Sequence, residues 1–178
     1  MNFLKTAAYV SLGLLCIIGC TSEKKKLSDS IHGDEEILMK DSSGIMNQPV
    51  SIRTLHEYLE YSEKFPEDTL SPEYLVRAAD LSNGMKQYRQ SVDLFGKMLK
   101  NYPGHRKAAA ALFMQAFVYE TSLHQKDSAI AKYNEFLQKY PSHSLAPSAK
   151  ASLEQLNSGL SDEELIRKFE AQMNSAAK

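Results

Sequence analysis

The side chains able to do chemistry are few, and most are spaced badly for it. Cys16 and Cys20 both fall in the first twenty residues, so no disulfide framework can brace the rest of the chain. The five histidines, His32, His56, His105, His124 and His143, include no i, i+4 pair and have no cysteine near them, a pattern that does not build a zinc site. His56-Glu57 lacks the second histidine of a helical metalloprotease site. Tyr119 and Glu120 with His124 have the residue types for acid–base work, but a single histidine beside a loop is ordinarily just solvated. Asp34-Glu35-Glu36 carries the charge to attract calcium without the alternating oxygen ligands of a binding loop, and reads as a solvated run. No serine stands in a nucleophile elbow. The residues thus offer no catalytic group, metal set or cofactor site, and the reading is of a non-enzyme. Cys20 is the exception in context, because Ile17-Ile18-Gly19 precedes it.

The elements that must position these residues are helices. The 178 residues are 43% hydrophobic and 24% charged, lack Trp, and contain only 8 Gly and 6 Pro. Ala, Leu, Lys, Glu and Gln are plentiful, which favours an all-α protein. Net charge is −1 with the two signs interspersed, so the basic face that nucleic acid needs is missing. Apolar periodicity marks a first helix over about 50–65, with Ile52, Leu55, Tyr58, Leu59 and Ser62 on one face, a Glu60–Lys64 pair on the other, and Pro66 as the stop. A second starts at Ser71 as N-cap, with Pro72 and Glu73 in its first turn, and ends at Gly84. Further helices follow over 87–101, 108–122 and 128–140. Leu145, Ala149, Leu153 and Leu156 then form a narrow stripe on a polar helix. A last helix begins with a Ser161/Glu164 capping box and a Leu160–Leu165 staple, and carries Leu165, Ile166, Phe169 and Met173 on one face.

Three of these helices end alike, at Phe65-Pro66, Tyr102-Pro103 and Tyr140-Pro141, with spacings of 37 and 38 residues. Ser91, Phe95, Met98, Leu99 and Pro103 align without a gap on Ala129, Tyr133, Phe136, Leu137 and Pro141, and upstream Leu75 and Ala79 align on Leu112 and Ala116. Over about 50–156 the chain resembles the tetratricopeptide repeat, a helix–turn–helix unit with small residues where paired helices touch. In that likeness Ala79 and Ala116 take the small position of the first helix, Ser91 and Ala129 that of the second, Phe95 and Tyr133 the aromatic position, and Pro103 and Pro141 the terminal proline. Ser82 and Gln115 depart from it, standing where an aromatic and a leucine are usual. The resemblance implies an all-α fold, a short tetratricopeptide-type α-solenoid of antiparallel helix pairs with C-terminal capping helices. It also implies a concave partner-binding surface lined by Val76, Asp80 and Asn83 from one repeat and Phe113, Phe117 and Glu120 from the next. The competing reading places Phe113 and Phe117 in the core or beneath a neighbouring segment.

The start of the chain has its own pattern. A basic Met1–Lys5 leads into fourteen uncharged, mostly apolar residues, Thr6–Gly19, short of the ~18–20 needed to span a bilayer. Ile17-Ile18-Gly19-Cys20 resembles the lipobox of bacterial lipoproteins, which implies cleavage before Cys20 and acyl chains on its sulfur and amino group. Residues 1–19 are then a signal peptide, 20–48 a partly disordered tether spanning ~25–30 Å on average as a coil, 49–174 the repeat domain and 175–178 a frayed tail. Thr21 rather than Asp after the cysteine implies an outer-membrane destination facing the periplasm. Together the two likenesses imply an acyl-anchored scaffold in the bacterial envelope that binds other envelope proteins or peptide segments. They also give a distant similarity to the repeat lipoproteins of the outer-membrane β-barrel assembly machine. A small-ligand-binding lipoprotein and an adaptor of cell-wall or division machinery are the alternatives.

Overall fold

A computed structural model describes residues 3–40 and 48–159, with 164 and 167, and the side chains from residue 22 onward. The chain is all-α: α1 (Phe3–Lys40), α2 (Gln48–Lys64), α3 (Leu70–Gly84), α4 (Tyr88–Asn101), α5 (Ala108–Thr121), α6 (Lys126–Lys139) and α7 (Ala146–Ser158), with no strand among the described residues. None of these helices is long and apolar enough to cross a membrane, again among the described residues. Two compact units emerge, residues 1–87 and 88–178. The Ser161 capping box, the Leu160–Leu165 staple, the face of Ile166, Phe169 and Met173, and the 175–178 tail lie outside the described residues.

In the first unit α1 packs on α2 and α2 on α3. Within the segment read as a partly disordered tether, residues 20–40 continue one helix, and its second half is docked. Glu23 pairs with Lys64, Ser30 with Glu57 at 2.7 Å and Asp34 with Arg53. The partner number falls as the α1 number rises, so the two helices run antiparallel. Polar composition suggested a coil, yet Ile31 is fully buried and Asp34 nearly so, the latter held by Arg53 Nε at 2.7 Å and by the Arg53 Nη2 contact. A buried carboxylate is tolerable only when paired in this way. Docking of α1 also redefines the inner face of α2. That face is Ser51, Thr54, Leu55, Tyr58, Tyr61 and Ser62, while Ile52, expected inside, is 56% exposed.

Tyr58, Tyr61 and Tyr74 fill the α2–α3 seam, with ring centroids 5.2 Å apart for Tyr58–Tyr74 and 4.8 Å for Tyr61–Tyr74. Ser71 does not cap α3 as expected. It lies inside the helix with its hydroxyl donating to the Phe65 carbonyl, and the Leu70 amide is met instead by Asp68 Oδ1 at 2.9 Å. Gly84 is the last helical residue, and the left-handed turn beyond it falls on Lys86 (φ 62°).

In the second unit α5 packs between α4 and α6, and α7 packs on α6. Ala109, Leu112, Ala116, Ala129, Tyr133, Phe136, Ala146, Ala149 and Leu153 form its core. The alanines matter because only small side chains allow helix backbones to approach this closely. Gln115, at the position where Leu is usual in the repeat, is buried and donates Nε2 to the Val92 carbonyl at 2.8 Å. Gly96 makes room for it, since a Cβ there would stand 3.2 Å from that amide nitrogen.

The three aromatic-proline turns share one hydrogen-bond pattern. Phe65, Tyr102 and Tyr140 accept from the amides of Asp68, His105 and His143 at 2.9, 3.0 and 3.1 Å. Those three residues in turn accept side-chain bonds from the amides of Leu70, Lys107 and Leu145 at 2.9, 3.3 and 3.1 Å. Each thus meets a donor that the start of the next helix leaves unpaired.

Candidate functional site

The residues expected to line a partner surface divide between the units, three on α3 and three on α5. On α3, Val76 is buried in the first unit, Asp80 is exposed, and Asn83 is half-buried with its Oδ1 sealed from solvent and without a hydrogen-bond partner. Of the three only Asp80 is solvent-exposed. The same unit carries a shallow groove of about 350 Å³ lined by Glu35, Leu38, Met39, Tyr58 and Arg77. Its polar groups are already engaged: Glu35 Oε1 accepts from Tyr58 Oη at 2.7 Å and from Arg77, whose guanidinium lies 5.7 Å from the Tyr74 ring centroid. Burial, and then the bond to Glu35, push the Tyr58 phenol well above its ordinary range, so it stays a neutral donor.

On α5 the two phenylalanines separate. Phe113 turns inward, its ring 5.6 Å from Tyr133 and 5.7 Å from Phe136 in edge-to-face contacts that complete the core of the second unit. Phe117, one turn on, is 40% exposed. Glu120 is half-buried and its Oε2 accepts from Tyr133 Oη at 2.6 Å. Burial foremost, with that bond behind it, raises the Tyr133 phenol. Glu120 therefore satisfies the one polar atom of an otherwise apolar ring.

The small and aromatic repeat positions are all inside: Ala79, Ser91, Phe95, Ala116, Ala129 and Tyr133 are fully buried. Pro103 and Pro141 follow the ends of α4 and α6 and are exposed. Ser82 is also buried, and its hydroxyl has no partner.

The residues weighed for chemistry are explained by packing. Asp34-Glu35-Glu36 is not a solvated run, for Asp34 is buried against Arg53, Glu35 holds Tyr58 and Arg77, and only Glu36 is exposed, paired with Lys40 at 3.1 Å. His124 is an exposed turn residue at φ 51°, and His56 is exposed with Glu60 at 3.8 Å. His105 and His143 turn out to be the equivalent helix-starting residues of two repeats, with Asp68 as the third. Their spacing, 37 and 38 residues, is that of the prolines and was the signal that could have found them. Among the described residues no group of three or more His, Cys, Asp or Glu is placed to hold a metal ion.

Comparison with protein families matches residues 73–105 and 110–143 to the tetratricopeptide repeat. Over these residues the chain is similar to tetratricopeptide repeats, the first match covering most of α3 and all of α4 and the second covering most of α5 and all of α6. Comparison with curated proteins finds no match. Repeats of this kind serve as a rule as scaffolds that bind proteins or peptides rather than as catalysts.

Proposed function

We propose that this chain is a lipid-anchored envelope protein whose repeats hold a protein or peptide partner, without catalysis of its own. The observation that carries the binding role is the division on α5: Phe113 is spent on the core, while Phe117 stays 40% exposed on a helix of a matched repeat. A large apolar ring kept at the surface of such a helix supports its use as an anchor for a partner's apolar side chain. The lipobox-like Ile17-Ile18-Gly19-Cys20 supports acylation of Cys20, and Thr21 after it supports the outer membrane, facing the periplasm. Assembly of outer-membrane proteins is the narrower form of this reading, supported by likeness in kind to repeat lipoproteins of that machinery. A small-ligand receptor is less well supported, because the groove of the first unit has its Tyr58, Glu35 and Arg77 already bonded to one another.

The test is photo-crosslinking in intact cells, with the crosslinker placed at Phe117 or, as control, at the more exposed Ile52. A discrete adduct with one envelope protein from position 117, absent from 52 and lost on dilution with excess partner fragment, is the expected result. Equal, diffuse labelling from both positions would remove Phe117 as the anchor.

A further inference from the structure

Resting on the reading that Cys20 is acylated, we infer that the repeat fold stands directly on the leaflet, with one defined end of its first unit against the lipid headgroups. The fold engages the chain almost at once after the anchor. Glu23 is bonded to Lys64 at the end of α2, and Lys24 is paired with Asp68 in the turn that follows. Only three residue steps separate Cys20 from Glu23, at most about 11 Å fully extended and about 4.5 Å as the helix they form. A coil over 20–48 would have let the domain wander; the docked helix removes that freedom.

The end placed at the membrane follows from the antiparallel α1–α2 pair. It consists of Lys24–Lys26, the last turn of α2 and the 65–70 turn, where Leu70 is 38% exposed. A shallow groove of about 330 Å³ lies there, lined by Lys24, Lys25, Ser28, Asp29, Tyr61 and Leu70. The opposite end carries Met39, 76% exposed, and Ile52. Sixteen residue steps of α1 separate Glu23 from Met39, about 24 Å of helix. Lys25 and Lys26 suit anionic headgroups, but Asp29 and Glu67 share this end, so net charge alone would hold it poorly. The short leash is what enforces the apposition.

The experiment uses the full chain purified in its acylated form and reconstituted in vesicles of phosphatidylethanolamine and phosphatidylglycerol. A thiol-reactive fluorophore is placed at Leu70→Cys or at Met39→Cys, and a headgroup-labelled lipid serves as quencher. Quenching several-fold stronger at position 70 than at 39 is expected, and a ten-residue Gly/Ser insertion between Thr21 and Ser22 should bring the two close together. Equal quenching in the uninserted protein overturns the apposition, and a difference that survives the insertion overturns the leash as its cause. Incorporation of labelled palmitate is read on the same preparations. Failure there overturns the anchor and the apposition together, whereas incorporation with equal quenching overturns the apposition alone.

Discussion

Phe113 and Phe117 are the same residue type one helical turn apart, and nothing in their spacing says which is structural. Their contacts do. Phe113 has Tyr133 and Phe136 on its edges, whereas Phe117 keeps much of its surface in water. Phe113→Ala should therefore cost about 2–3 kcal/mol, less than the ~3–5 of a fully enclosed phenylalanine because the ring is only partly buried. Phe117→Ala should stay within about 0.5 kcal/mol. Thermal unfolding followed by circular dichroism measures both, and equal losses would mean that Phe117 is also a core residue. At the same scale the sequence misjudged polar residues. Gln115 reads as a departure from the repeat until its bond to the Val92 carbonyl is seen, and Gly96 opposite it leaves room for that amide.

At the scale of the element, α1 decides most. Its docked half is attached by two kinds of contact with different strengths. The Lys64–Glu23 bond lies at the surface, where side-chain entropy and solvent screening leave little net gain. The Asp34–Arg53 pair has its carboxylate buried, so removing the guanidinium strands a desolvated charge. Arg53→Ala is expected to lower the melting temperature and to speed amide hydrogen exchange over residues 27–38, while Lys64→Ala leaves both nearly unchanged. Exchange that is unaffected in Arg53→Ala would show that Ile31 and its apolar neighbours hold α1 without help. The hydrophobic pattern missed this helix because its buried stripe is thin: Ile31 carries the apolar part and Asp34 takes the next inward position.

For the whole molecule, the proposed anchoring is separable from folding. The described contacts that dock α1, at Glu23, Ser30 and Asp34, lie beyond Cys20. Cys20→Ala should therefore leave helix content and melting temperature unchanged, while moving the protein out of the membrane fraction and abolishing palmitate incorporation. Retention in the membrane fraction without label would mean that another attachment operates. On the proposed reading the same division separates loss of the anchor from loss of the partner site, since Phe117→Glu should stay membrane-bound.

What the sequence determined by itself is the part written in repetition. The 37- and 38-residue spacings, the small residues at 79, 91, 116 and 129, and the prolines at 103 and 141 repeat because every helix pair meets the same packing problem. They were legible without coordinates, as was the helical class, which follows from composition and period. The tertiary structure alone decided what happens once in the chain. That Asp34 is buried, that α1 is a packed helix rather than a tether, that Ile52 faces out and that Phe113 faces in all depend on which neighbour covers which face. Burial is a property of pairs of elements, and no periodicity along one of them records it.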